Sequence, residues 1–185
     1  MNPRTTSLLN DIFLFAMMLV IAEILIFAMA LQYKGGEIPC PLCLLQRVAM
    51  FGVCFGIIQH FRGGTSGRGD GISMIFAVLL LIISVRQTLL DIYPRPGHAY
   101  IGSAIFNIHM PVWSVIIAIC ILFAFAVKYA VLGGTTVDDN ERPEWMTRTA
   151  AWLGYFVVAI CAINFVSVVL QCGLDACHTM SYRLL

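Results

Sequence analysis

Two cysteines separated by two residues, Cys40 and Cys43, stand directly before a long apolar run. Thiols at that spacing close into a small ring and reopen, as a dithiol–disulfide couple does. Pro41 between them suits a helix start, where its missing N–H costs nothing. Cys43 then falls in the first helical turn, where unpaired N–H groups and the helix dipole favour negative charge. The thiolate, the species that exchanges, gains from that position. Arg47 follows Cys43 by four residues, so the two share a helix face. A guanidinium one turn into a membrane helix is costly, and such residues are functional by default. Arg47 is therefore expected to hold a thiolate or a polar ligand oxygen near Cys43. The plainer alternative is a side chain that snorkels to the headgroups.

A second cysteine pair, Cys172 and Cys177, follows the last apolar run and is followed by His178. A short-ring disulfide there would suit a relay by mixed-disulfide exchange. It would equally serve as a structural disulfide. Cys172 to His178 is also a widened form of the C-x-x-C-H pattern of c-type haem attachment. Taken together, Cys40, Cys43, Cys172 and Cys177 could supply the four soft ligands of a zinc site. The other three of the seven cysteines, Cys54, Cys120 and Cys161, sit mid-way along apolar stretches. They are expected to act as small hydrophobes.

These pairs must be positioned by elements, and composition says which kind. The 185-residue chain is 60% hydrophobic and only 11% charged. Soluble domains carry roughly 25% charged residues, so this chain has too little polar surface to face water. A net charge of +1 gives no case for nucleic-acid binding. A membrane helix needs ~20 mostly apolar residues, and five runs qualify: 12–31, 44–61, 72–90, 112–131 and 151–170. Polar, Gly-rich, Pro-containing or charged breaks separate them. The first run exceeds the ~7–15 residues of a signal h-region, and no small-x-small site follows, so it is expected to persist as a span. The reading is all-α: one polytopic membrane helix bundle over residues 1–185, in contact with membrane lipid.

Lysine and arginine placement orients it. With the N-terminus in the cytoplasm, the inner side carries Arg4, Arg62, Arg68, Lys128, Arg142 and Arg148, and the outer side carries Lys34, Arg95 and Arg183. Five spans then put both cysteine pairs on the outer, oxidising side, where disulfides persist. Trp113 and Trp145 fall near span ends, as interfacial aromatics do. Glu23 and Arg86 lie inside spans, and charges there usually pair, so these two are expected to pair as helix–helix glue or to handle protons. His98 and His109 lie in the outer loop and read as surface or capping residues.

The residues Pro39-Cys40-Pro41-Leu42-Cys43-Leu44-Leu45-Gln46-Arg47 resemble the redox motif of the DsbB family of membrane disulfide-forming oxidases. Arg86-Gln87-Thr88-Leu89-Leu90-Asp91-Ile92-Tyr93-Pro94-Arg95-Pro96 resembles the end of that family's third helix, and His109-Met110-Pro111-Val112-Trp113 the start of its fourth. The likeness covers about residues 10–132. It implies a four-helix core, to which this chain adds a fifth span. It also implies a bound quinone, ubiquinone or menaquinone, that takes electrons from the C-x-x-C. Carried over, Cys43 faces the quinone, Arg47 polarises it and Gln87 stands near the site. The implied partner is a soluble thioredoxin-like dithiol oxidase of the DsbA kind outside a bacterial inner membrane. Two departures stand out. The family's second cysteine pair lies between its third and fourth helices, and residues 91–111 here hold no cysteine. The fifth span is additional, and Cys172 and Cys177 appear where it ends, so they are read as the relocated relay pair. The leading expectation is a thiol:quinone oxidoreductase using Cys40, Cys43, Cys172 and Cys177. The rivals are an electron-transfer protein with haem on its tail and a non-catalytic membrane subunit.

Overall fold

The computed structural model describes residues 3–34, 40–62, 67–92, 104–133 and 142–173. They form five long helices, α1 (Pro3–Lys34), α2 (Pro41–Arg62), α3 (Arg68–Ile92), α4 (Met110–Leu132) and α5 (Glu144–Cys172), and a two-stranded hairpin, β1 (Ala104–Ile105) and β2 (Ile108–His109). All five helices are long and apolar enough to cross a membrane. The protein is an all-α, multi-pass membrane bundle, as composition and run lengths require.

Two helices start well before the predicted spans. α1 gains residues 3–11, and Asn10 and Asp11 within them are buried. α5 gains residues 144–150, where Met146 and Ala150 are buried. Both extensions are stabilised by contacts that no hydropathy window sees. The Asp11 carboxylate accepts from the Arg142 guanidinium at 2.9 Å and lies 3.1 Å from the His60 ring. At the same end of the bundle, Lys128 pairs with Asp70, which also accepts from the Tyr129 hydroxyl at 3.1 Å. Burying charge is tolerable only with partners of this kind, and here five helix ends share the arrangement.

The hairpin was not anticipated from residues 91–111. Ala104 pairs with His109 and Ile105 with Ile108, and the turn residues Phe106 and Asn107 have φ of 53° and 61°. Such a left-handed pair is what a tight two-residue hairpin demands, although phenylalanine is a costly choice for it.

α2 is the central helix, with buried side chains on most of its circumference. It packs closely on α3, and α3 on α4, while α5 lies against α2 and α1. The core joins Leu14 and Leu25 of α1, Val53 and Ile57 of α2, Leu80 of α3, Phe125 of α4 and Ile160 of α5. Glycine sets the α2–α3 approach. A Cβ added at Gly56 would stand 2.5 Å from the Gly69 carbonyl and 2.6 Å from the Ser73 nitrogen. Gly52 and Gly56 form a G-x-x-x-G pair, a spacing that lets membrane helices come close. Cys54 is in the core, as expected, whereas Cys120 lies on the exposed side of α4 and contributes nothing to it.

Candidate redox site

Cys40 immediately precedes α2 and closes its first turn. The Leu44 N–H donates to the Cys40 carbonyl at 3.1 Å, and the Cys43 N–H donates to the Cys40 sulfur at 3.1 Å. Cys40 thus caps the helix with its sulfur, with Pro41 as first helical residue. Cys40 and Cys43 are joined as a disulfide, with Cα atoms 5.1 Å apart, a separation that suits the bond. The sulfurs sit over a helix N-terminus, where negative charge is favoured.

A chain of hydrogen bonds converges on them. The Gln87 amide of α3 donates to both sulfurs, at 3.3 Å each. Gln46 donates to the Gln87 carbonyl oxygen at 2.9 Å. Ser114 of α4 donates to the Gln46 carbonyl oxygen at 3.2 Å. The three links align, so each polarises the next toward sulfur. Gln46 and Gln87 are buried, where water competes little for these donors.

Arg47 projects the other way. On a helix at about 100° per residue, Gln46 and Arg47 fall on either side of Cys43, by about 60° and about 40°. Gln46 meets α3 and α4, and Arg47 meets α1 and α5. The guanidinium donates to Gln32 Oε1 at 2.6 Å, to Asn164 Oδ1 at 3.2 Å and to the Ala28 carbonyl at 2.9 Å. It is buried, so the snorkelling alternative is overturned: these acceptors hold it inside the bundle. One turn along α5, Ser167 is hydrogen-bonded to Tyr33 of α1. The donor set fits a quinone. Amide and guanidinium N–H groups are the donors a ring carbonyl accepts from, and here Gln87 lies against the disulfide and Arg47 one helical turn from Cys43.

Of the residues singled out in the sequence, Cys40, Cys43 and Gln87 are in direct contact, and Arg47 stands one turn from Cys43. Cys172 is the last residue of α5. Its helix ends on the side of Cys40, because Asn164 and Ser167 already lie level with Arg47 and Tyr33. The Cys172 side chain and Cys177 fall outside the described residues, as do His178 and His98. Glu23 and Arg86 do not pair: both are exposed on the bundle surface and no ion pair joins them. Their helices, α1 and α3, sit apart across α2. Four residues escaped the reading: Gln46 and Ser114 on one side, Gln32 and Asn164 on the other. The available signal was polar amides and hydroxyls inside apolar spans near the C-x-x-C, but only packing shows which of them face inward.

Comparison with known proteins agrees with this geometry. The family model described as Disulfide bond formation protein DsbB matches residues 10–99. Disulfide bond formation protein B of Azoarcus sp. (strain BH72) is 34% identical over 79 residues, 40% of this chain and 46% of that protein. The protein of that name from Acidovorax sp. (strain JS42) is 38% identical over 78 residues, 38% of this chain and 42% of its own. That of Chromohalobacter salexigens is 32% identical over 101 residues, 48% and 56% of the two chains. The chain thus spans about half the length of the curated relatives it matches. No solved structure matches it. The matched segment contains the sulfur pair, Gln46, Arg47 and Gln87, and over that segment the chain is similar to the DsbB family of disulfide bond formation proteins.

Proposed function

We propose that the protein is a membrane thiol oxidase that forms disulfides in a partner and passes the electrons to quinone. The observation that carries this is the disulfide Cys40–Cys43 at a helix N-terminus, with Gln87 donating to both sulfurs. A partner dithiol reduces a Cys172–Cys177 disulfide through a mixed disulfide, and the tail dithiol so formed reduces Cys40–Cys43 by the same exchange. The partner leaves with a disulfide, and Cys40 and Cys43 hold the two electrons and two protons it gave up. Gln87 and the α2 N-terminus stabilise the sulfur that leaves as thiolate. Arg47 and Gln87 would hold the quinone beside Cys43. A bound quinone supplies the two-electron, two-proton acceptor that restores the disulfide.

The partner is a soluble, thioredoxin-like dithiol protein of the DsbA kind, and Cys172 and Cys177 are the pair that meets it. The positive-inside bias puts the N-terminus in the cytoplasm and both cysteine pairs in the periplasm. α5 supports the relay reading by backbone position. Asn164 meets the Arg47 side chain, and α5 continues two turns beyond it to Cys172, toward the end of the bundle that carries Cys40 and Cys43. The purified full chain should reduce a short-chain ubiquinone when given a reduced dithiol protein. Cys40→Ser and Cys43→Ser should each abolish it. Turnover retained in both variants overturns the proposal.

A further inference from the structure

Two charges inside the spans find no partner in the bundle. Glu23 of α1 and Arg86 of α3 are both exposed, and among the described residues neither makes a hydrogen bond or an ion pair. Both point outward. At about 100° per residue, Glu23 stands opposite the buried Leu14 and Leu25 of α1, and Arg86 opposite the buried Ala77 and Ser84 of α3. Glu23 lies midway along the apolar part of α1, where a carboxylate is too short to reach the headgroups. A charge facing hydrocarbon is expensive, and charged groups inside membranes pair with one another. Within one chain the pairing is barred, because α2 stands between α1 and α3. Between two copies it is not. Copies of one chain insert the same way round, so each charge keeps its depth. Arg86 adjoins Gln87, which meets the sulfurs, and Glu23 is nearer to Ala28, which meets Arg47, than to Asp11 at the ion-pair end. Both charges thus lie in the half of the bundle that carries the disulfide, with Glu23 the deeper. Side chains of α1 and α3 tilt toward their N-termini, at the ion-pair end, and the longer arginine travels further that way.

We propose that the bundle self-associates in the membrane, with Glu23 on α1 of one copy paired to Arg86 on α3 of the next. The contact joins unlike faces, so it is head-to-tail and each copy offers both halves of it. The flanking residues suit helix pairing. Val20, Glu23 and Phe27, like Ile82, Arg86 and Leu89, follow the three-and-four spacing at which paired helices interlock, and the four apolar ones are exposed. Apolar surface alone gives membrane helices no reason to associate, since lipid suits it equally. The charge pair supplies that reason, because its attraction is strong where the dielectric is low. The inference stands apart from the proposed function. Its test is energy transfer between full-length copies carrying donor and acceptor dyes on terminal tags, followed in liposomes as lipid is added. Wild type should show transfer that falls on dilution and yields a dissociation constant. Glu23→Gln and Arg86→Gln, which remove the charges, should each raise that constant by about three- to twentyfold, the worth of one polar pair between membrane helices. Their melting temperatures should stay near wild type, since neither side chain packs inside the bundle. Glu23→Arg and Arg86→Glu should each fail to self-associate yet associate when mixed, because the mixture restores opposite charges at every contact. If the charge-reversed forms do not insert, the glutamine variants decide the matter. Wild type that stays monomeric at every dilution, as it would if another membrane protein covered these charges, overturns the inference. So do glutamine variants that associate as tightly as wild type.

Discussion

At the scale of single residues, the disulfide is governed by amide donors. Gln87 spends its N–H groups on the two sulfurs because Gln46 holds its carbonyl oxygen, and Gln46 is in turn held by Ser114. A graded series follows. Gln87→Leu removes the donor from both sulfurs and leaves the Gln46 amide without its acceptor, a loss of about 1–3 kcal/mol for a buried group. Ser114→Ala removes only the outermost link, about 0.5–1.5 kcal/mol. Dithiol-driven turnover should therefore fall most for Gln87→Leu, less for Gln46→Leu and least for Ser114→Ala, with thermal melting points in the same order. Equal effects along the series would mean that the chain of bonds does not act on sulfur.

At the scale of elements, the site depends on how closely α2 and α3 approach. Gln46 and Gln87 meet across that interface, and the approach is set further along by glycine. At Gly56 the nearest atoms to an added Cβ are Gly69 and Ser73 backbone and the Ser73 hydroxyl, which itself donates to the Val53 carbonyl at 2.8 Å. Backbone cannot move aside as a flexible side chain can. Gly56→Ala should push the helices apart and cost about 1–3 kcal/mol by overpacking. Gly67→Ala, where an added Cβ meets nothing within 4 Å, serves as the control. Melting temperatures of the two variants in detergent decide it: a Gly56→Ala protein as stable as the control would show that the glycine contact does not set the spacing.

At the scale of the molecule, the bundle has two unlike ends. One buries ion pairs, Asp11 with Arg142 and Asp70 with Lys128, and the other carries the disulfide and its amides. The ion pairs anchor helix ends that hydropathy alone would leave frayed, and α5 is tied at both ends: near Arg142 at its start and through Asn164 and Ser167 near its finish. That double attachment brings the end of α5 to the sulfur side. The relay reading then makes a geometric demand, since bridged cysteines need Cα atoms about 4.4–6.8 Å apart. With Cys40 and one tail cysteine replaced by serine, Cys43 and the other tail cysteine should form a cross-link visible by mass mapping under non-reducing conditions. Its absence for both tail cysteines, or labelling of the tail from the cytoplasmic side alone, would make Cys40 the partner's direct target instead.

The sequence by itself determined the class of structure and the pair of cysteines that are joined as a disulfide. Five apolar runs with few charges have no soluble solution, since lipid is the solvent that such surfaces suit. C-x-x-C before a helix fixes the ring and its place at the N-terminus through local geometry alone, and the i, i+4 spacing fixes Arg47 beside it. What lay beyond the sequence was everything set by rotation of one helix against another. Polar residues occur throughout these spans, and a hydropathy window treats Asn164 and Glu23 alike. Packing buries the first against Arg47 and leaves the second exposed. The same holds for Asp11 and His60, 49 positions apart, and for Gln46 with Ser114, 68 apart. Such pairs come from how far each helix turns and how deep it sits, and those are decided by glycine contacts and core shape summed over the bundle, not by any local pattern. α5 shows the limit most clearly. Its existence is plain from its apolar length, but only the tertiary structure brings it to the candidate redox site, because Asn164 meets Arg47 only once the helix is laid against α2.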